Sequence, residues 1–336
     1  MFSIKILPAL LFPYFDLVSA ALVSSPLGLN SVNNNVNLTL AEFASFSNLT
    51  APLPPPGYIV EVLTNEKRTV KPIETYQDFI QLMSLLALFT WGSTFSHSLS
   101  MTDREYTTQI SIYPMPRDSQ LKNSVAITAL YDLGCVVAVH NKFYELQANL
   151  LLDEVTRGVI QIYNKPPGAS PDTLLLDQVA DSNTTLMANP TKGGIVDPKD
   201  RKLIVTFEFD GVKLNSKDIF TSFLNAFAIS SEQDNSKLNA AISAAPSAYD
   251  GKRGGDVVLS TWSSVDPDDN RMTWSRLKRA LLIIWTRIVM EDGVGTRPRF
   301  EGFYFGIEYA GVEIGAGRLI KIDSATNGTD RTAVAR

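Results

Sequence analysis

Cysteine is all but missing from this chain of 336 residues. Cys135 stands alone, so no disulfide can close within the molecule. Packing must hold the fold together, and a chain this long can bury a sizeable core without covalent ties. Histidine is almost as scarce, with only His97 and His140. That excludes a histidine-rich metal centre and leaves at most a two-histidine site completed by carboxylates. Basic excess is missing as well. A net charge of -5 gives no attraction for phosphate backbones, so nucleic acid is set aside as a partner. There is no Gly-x-Ser-x-Gly nucleophile elbow.

With 45% of residues hydrophobic and 19% charged, the composition is globular. Residues 1–20 have the layout of a secretory signal. Lys5 supplies the positive start, Ile6 to Phe15 a short apolar stretch, and Val18-Ser19-Ala20 small residues at a cleavage spacing. The apolar run is too short for a permanent membrane span, so no integral span is expected in the mature chain. Four acceptor sequons fit export: Asn37-Leu38-Thr39, Asn48-Leu49-Thr50, Asn183-Thr184-Thr185 and Asn327-Gly328-Thr329. All lie in polar stretches outside the predicted elements, so Asn37, Asn48, Asn183 and Asn327 are the candidate glycosylation sites. An extracellular or cell-surface location is expected.

Beyond a Ser/Asn/Pro-rich leader at 21–57, one order of elements can be read twice. In the first unit, 58–165, Tyr58–Leu63 reads as a strand by its β-branched content. Thr75 with Asp78 resembles a capping box for a helix from Tyr76 to about Phe89. A strand at Thr107–Tyr113, a helix from about Asn123 to Asn141, and a hairpin of Leu146–Leu152 with Val159–Tyr163 follow. Residues 166–200 read as a linker. The second unit, 201–323, opens with Leu203–Asp210, whose alternation turns Leu203, Val205, Phe207 and Phe209 inward. Asn215 or Ser216 caps a helix carrying Phe220, Phe223, Leu224 and Phe227. A short helical piece before Pro246, a strand at Val257–Trp262 and a long helix from Thr273 come next. Trp274, Leu277, Leu281, Ile284, Trp285 and Ile288 share that helix's buried face. Phe300–Tyr309 and Arg318–Ile322 close the unit, and 324–336 is a tail. The expected class is α+β with two similar β-α-β-α-β-β units. Such an order is what internal duplication with pseudo-two-fold packing would produce. Arg157-Gly158-Val159-Ile160-Gln161-Ile162 and Gly317-Arg318-Leu319-Ile320-Lys321-Ile322 supply similar text in the two closing strands.

Met272-Thr273-Trp274, the helix through Trp285, Phe303-Tyr304-Phe305 and Gly315-Ala316-Gly317-Arg318-Leu319 form a run that resembles a broad group of uncharacterised secreted proteins of filamentous fungi. The resemblance covers the C-terminal third. It implies export and an α+β fold and assigns no activity.

The candidate chemistry is thin, and no residue is given a catalytic, cofactor-binding or metal-ligating role. His97, near Asp103 and Glu105, lacks anything that fixes a triad. His140 continues an apolar helical stripe and reads as a core or helix-end histidine. Cys135, in an apolar run, reads as a buried inert thiol. Asp266-Pro267-Asp268-Asp269-Asn270 begins like a calcium loop, but Arg271 stands where the turn needs Gly, and Leu277 replaces the bidentate Glu. Gly251 to Asp256 precedes a strand, unlike a phosphate loop, and Gly315-Ala316-Gly317 reads as a turn or bulge leading into one. Arg276, Lys278 and Arg279 fit a solvated helix face. On the outward sides of two strands, Glu208 and Glu308 could flank a groove with Tyr304 as a sugar platform. Together these readings point to a non-enzymatic binding or interaction protein, with cell-wall glycan or extracellular protein as partner. The alternative is an extracellular hydrolase acting on glycans through that carboxylate pair.

Overall fold

The computed structural model describes residues 3–6, 54–101, 107–116, 119–165, 191–238, 240–245, 255–264, 272–291 and 298–321. Its first half runs β1 (Ser3–Ile6), β2 (Tyr58–Thr69), α1 (Pro72–Leu88), β3 (Thr94–Phe95), β4 (Leu99–Met101), β5 (Thr108–Pro114), β6 (Leu121–Lys122), α2 (Asn123–Val139), β7 (Tyr144–Leu152) and β8 (Val155–Asn164). The second runs β9 (Lys192–Val196), β10 (Leu203–Lys213), α3 (Ser216–Ser231), β11 (Ile242–Ala244), β12 (Val257–Ser263), α4 (Trp274–Ile283) with a π-helical extension (Ile284–Val289), β13 (Glu301–Tyr309) and β14 (Val312–Lys321). The class is mixed α+β.

Twelve of the described strands form two antiparallel six-stranded sheets, ordered β1-β2-β7-β8-β5-β4 and β11-β12-β14-β13-β10-β9, and β3 pairs with β6 in a small third sheet. In each, the strand that precedes the first helix pairs with the first strand of the closing hairpin, and the strand between the two helices pairs with the second. Both hairpins close through two residues at positive φ, Asp153 (51°) with Glu154 (62°), and Ala310 (54°) with Gly311 (82°). That geometry matches the twist of the flanking strands.

Alternation decides which face is buried. Val60, Val62, Ala148, Leu150, Ile160, Ile162, Ile110 and Ile112 line the inner face of the first sheet. Leu203, Val205, Phe207, Phe209, Phe303, Phe305, Leu319 and Leu259 line that of the second. The helices pack against these faces, α1 on β4 and β5, α2 on β7, α3 on β11 and β12, and α4 on β10. They also pack on each other across the halves, α1 on α3 and α4, and α2 on α3. The result is four layers, sheet, helices, helices, sheet, around one continuous core. Tyr76 stacks on Phe220 with centroids 4.2 Å apart, and Phe223 meets Trp285 at 5.2 Å. Each fully buried ring here contributes on the order of 2–3 kcal/mol by leaving water. At the α2–α3 crossing sits Gly134, where an added Cβ would lie 2.5 Å from Leu224 Cδ1. A polar tie joins the halves as well. The Asn235 amide donates to the Leu88 carbonyl at the end of α1 (2.8 Å) and accepts from Lys278 of α4 (2.7 Å).

Several expectations need correction. Helix α1 starts at Pro72, four residues early, because proline suits the first helical position. Thr75 does not cap it, since its hydroxyl donates back to the Lys71 carbonyl. The piece before Pro246 is strand β11, and the region read as linker contains strand β9. Apart from these corrections, Ser3–Ile6 adds an edge strand along β2. Gly315-Ala316-Gly317 lies within β14, not before it. The similar text of the two closing strands is out of step by one residue. It sets Val159 against Leu319, yet Leu319 faces the core between Phe303 and Leu259, whereas Val159 pairs with Asn149 and Tyr113 on the outer face. A slip of one reverses every side chain of a strand. Nor are the three basic residues of α4 solvated. Lys278 is 1% exposed, Arg279 is ion-paired with buried Asp197, and Arg276 lies 3.6 Å over the Tyr309 ring.

Candidate binding face

Among the described residues, helices cover only the inner face of each sheet, so the functional question falls on the two outer faces. On the second sheet, Glu208 stands opposite Tyr304, and Glu308 stands opposite Ile204. The two carboxylates are thus on neighbouring strands but four residues apart along them, about 13 Å at strand rise. Paired-carboxylate hydrolysis needs about 5–10 Å. Glu308 instead faces Glu313 across the hairpin, where burial and then the Glu308 charge raise the Glu313 carboxyl above its ordinary value. Tyr304 is 42% exposed, in line with Arg318 and Ser260 on the next strands.

The remaining candidates separate. His97 lies exposed between β3 and β4, while Asp103 and Glu105 fall outside the described residues. His140 caps the C-terminus of α2, its backbone N–H donating to the Val136 carbonyl. Cys135 is buried, and burial first, then the Asp132 charge, push its thiol far up, against a hydrogen bond with Tyr131. Asp132 itself is pushed up to about 7 by burial, partly offset by the Tyr58 hydroxyl. The acidic run at 266–270, the glycines at 251 and 254, and the sequon residues Asn37, Asn48, Asn183 and Asn327 lie outside the described residues. Among the described residues no group of three metal-ligating side chains comes together, and no helix is long and apolar enough to cross a membrane.

The outer face of the first sheet carries a feature missed in the sequence. Register places Leu63, Gln147, Gln161, Ser111 and Ser100 in one row across β2, β7, β8, β5 and β4. The Gln161 amide donates to Gln147 (3.1 Å), which donates to Asn149 (3.0 Å). The Ser111 hydroxyl meets Ser100 (2.8 Å) and the Tyr163 hydroxyl (3.4 Å), and Gln109 donates to it (3.5 Å). Tyr163 and Tyr113 flank this row from opposite sides, beside Gln109 and Val159. Burial, then the neighbouring Tyr163, raise the Tyr113 phenol. A shallow concavity of about 450 Å³ lies over β2, β7 and β8, lined by Leu63, Asn65, Glu145, Gln147, Gln161 and Tyr163. Glu145 is already engaged, accepting from the Asn164 N–H (3.2 Å) and lying 3.4 Å from the Arg68 guanidinium. The central row is therefore uncharged, with Glu61 and Glu145 standing to either side of it. The alternation of Glu145, Gln147 and Asn149, and of Gln161 and Tyr163, was the available signal. Only the register joins them.

No family model matches the chain, and no curated protein matches it. Among solved structures it is similar to the tandem DUF26 ectodomain of the Arabidopsis thaliana cysteine-rich receptor-like protein PDLP5, at 12% identity over 78% of this chain and 98% of that one, with a TM-score of 0.19. A candidate thioesterase II from Thermobifida fusca YX aligns at 10% identity over 82% and 95%, with a TM-score of 0.13. Neither superposition is close enough to carry an argument about fold or function.

Proposed function

We propose that this is an exported, glycosylated, non-enzymatic binding protein, the export being what its likeness to secreted fungal proteins implies. In this reading its two similar units derive from an internal duplication and pack about a pseudo-two-fold axis. The carrying observation is that helices occupy the inside of both sheets, which turns two broad polar sheet faces outward on opposite sides of the molecule. Matching strand order and matching two-residue hairpins support the duplication. The separation of Glu208 from Glu308 weighs against the glycan-hydrolase alternative.

The test uses the full chain expressed through a secretory route. It should reach the medium lacking residues 1–20, and endoglycosidase should lower its mass. Incubated with cell-wall and culture-fluid fractions, it should be retained saturably without releasing product. Reducing-sugar release that disappears in Glu208→Gln or Glu308→Gln would refute the binding reading.

A further inference from the structure

We infer that the outer face of the first sheet is a binding site for a neutral oligosaccharide, seated over Gln147, Gln161 and Tyr163, with Ser111 buried beneath as a support for Tyr163. This rests on the binding reading above and names its ligand. Sugar hydroxyls both donate and accept, and a ligand built of them is met best by groups that do the same. Amides and hydroxyls do, while ammonium and guanidinium groups only donate. The row contains no charged side chain. Two carboxylates flank the row, and both are engaged: Glu145 by Arg68 and the Asn164 backbone, and Glu61, opposite Asn149, by a partner of its own. The amides are ordered in advance. Gln161 donates to Gln147 and Gln147 to Asn149, so the relay has a direction, with the Gln161 carbonyl at one end and the Asn149 NH₂ at the other. Each hydrogen bond in such a chain polarises the next, and a preformed array loses little freedom when a ligand arrives.

Shape and aromatic placement agree. Tyr163 borders the concavity, its hydroxyl 3.4 Å from the buried Ser111 hydroxyl, and offers ring surface to sugar C–H faces. The accessible end of the row, from β2 to β8, crosses two inter-strand spacings, about 10 Å, the length of a short oligosaccharide. The concavity of about 450 Å³ lies over this end.

Calorimetric titration of the full chain with cellohexaose, laminarihexaose, mannohexaose and N-acetylchitohexaose tests this. At least one should bind, with affinity unchanged between 50 mM and 500 mM NaCl. Gln161→Ala should weaken it at least tenfold, and Tyr163→Ala similarly. Tyr304→Ala, on the opposite outer face, should leave it unchanged. Circular dichroism and Tm confirm that each variant is folded. If none of the four binds, or only sulfated or uronic oligosaccharides do, the neutral-glycan assignment is wrong, while saturable retention by a cell-wall or culture-fluid fraction would leave the binding reading standing. If a hexaose binds and Gln161→Ala and Tyr163→Ala match the parent, the site is wrong. Release of shorter sugars from the hexaose would sink the binding reading itself.

Discussion

The meeting of the two halves through their helices can be tested at a single crossing. Gly134 of α2 faces α3, and a methyl group added there would lie 2.5 Å from Leu224 Cδ1, 3.4 Å from Phe220 Cζ and 3.5 Å from Phe79 Cδ1. All three neighbours are completely buried, so Leu224 can make room only by shifting against other core side chains. Gly134→Ala gains about 1 kcal/mol of helix propensity and loses about 1–3 kcal/mol to overpacking. A net loss of about 1 kcal/mol is expected. Leu224→Ala alone should cost about 3 kcal/mol, within the usual range for a buried leucine. In the double variant the overlapping atoms are gone, the new methyl enters the cavity left by Leu224, and the propensity gain is recovered. Its cost should be about 2 kcal/mol instead of the additive 4, a coupling of about 2 kcal/mol, where uncoupled sites add to within about 0.5 kcal/mol. Chemical denaturation of the four proteins measures all of these terms. Additivity would refute the close approach of α2 to α3, and with it the central double layer of helices.

Three further outcomes follow from charges inside the fold. Burial lowers the Lys278 ammonium to about 8, against the raising influence of Asp234, so the folded state disfavours its charged form. Below pH 8 that penalty is fully present. It is relieved as pH rises from 8 towards the ordinary 10.5, so the parent should gain on the order of 2 kcal/mol over this window relative to Lys278→Met, compared by urea melts. Arg279→Ala strands the Asp197 carboxylate, which is 2% exposed, and should cost about 3 kcal/mol. Arg279→Lys should recover only part, because its ammonium cannot reproduce the guanidinium fork. Burial would raise Glu74, but hydrogen bonds from Lys71, Thr108 and Thr107 outweigh it and hold the carboxyl below its ordinary 4.5. Its contribution is therefore present above pH 4.5 and lost as pH falls through the lower folded value. Glu74→Gln should be destabilised by about 1 kcal/mol at pH 7 and should converge on the parent in acid, as Tm against pH will show.

Much of the fold was legible because burial writes a period into the chain. The alternation of Leu203, Val205, Phe207 and Phe209 and the helical spacing of Trp274, Leu277, Leu281 and Ile288 each define a face, and all eight side chains are buried. Asn215 and Thr273 were readable as caps, and their side chains do accept the Lys217 and Arg276 N–H groups. Short elements were not readable. Strands β3, β4, β6 and β11 have two or three residues each, too few to show any period; β4 and β11 form on the edges of longer strands, and β3 and β6 pair with each other. The basic residues of α4 were misjudged for a different reason. Sequence shows that Lys278 is one position from the apolar face, but not that the turn at Gln233 to Asn235 supplies the acceptors that make its burial tolerable.

The candidate site marks a sharper limit. Alternation assigns Gln147, Gln161 and Ser111 to the outer side of their own strands, yet β5 reaches β8 only after a helix, a short strand and β7 have intervened. Antiparallel pairing then brings residues 36 and 50 positions away from Ser111 into its row. A polar residue on an outer face costs nothing in isolation, which is why each of these reads singly as ordinary solvation. What the sheet adds is coincidence in one line of four uncharged polar side chains, joined in two hydrogen-bonded sets, Gln161 to Gln147 to Asn149 and Ser100 with Ser111 and Tyr163. Solubility alone would be served as well by lysine and glutamate, which need no mutual order. The second sheet follows that simpler pattern, with Lys192, Glu208, Tyr304 and Arg318 in one line. The same scaffold thus carries two outer faces of different chemistry, and the ordered neutral one is where a ligand of hydroxyl groups should be sought first.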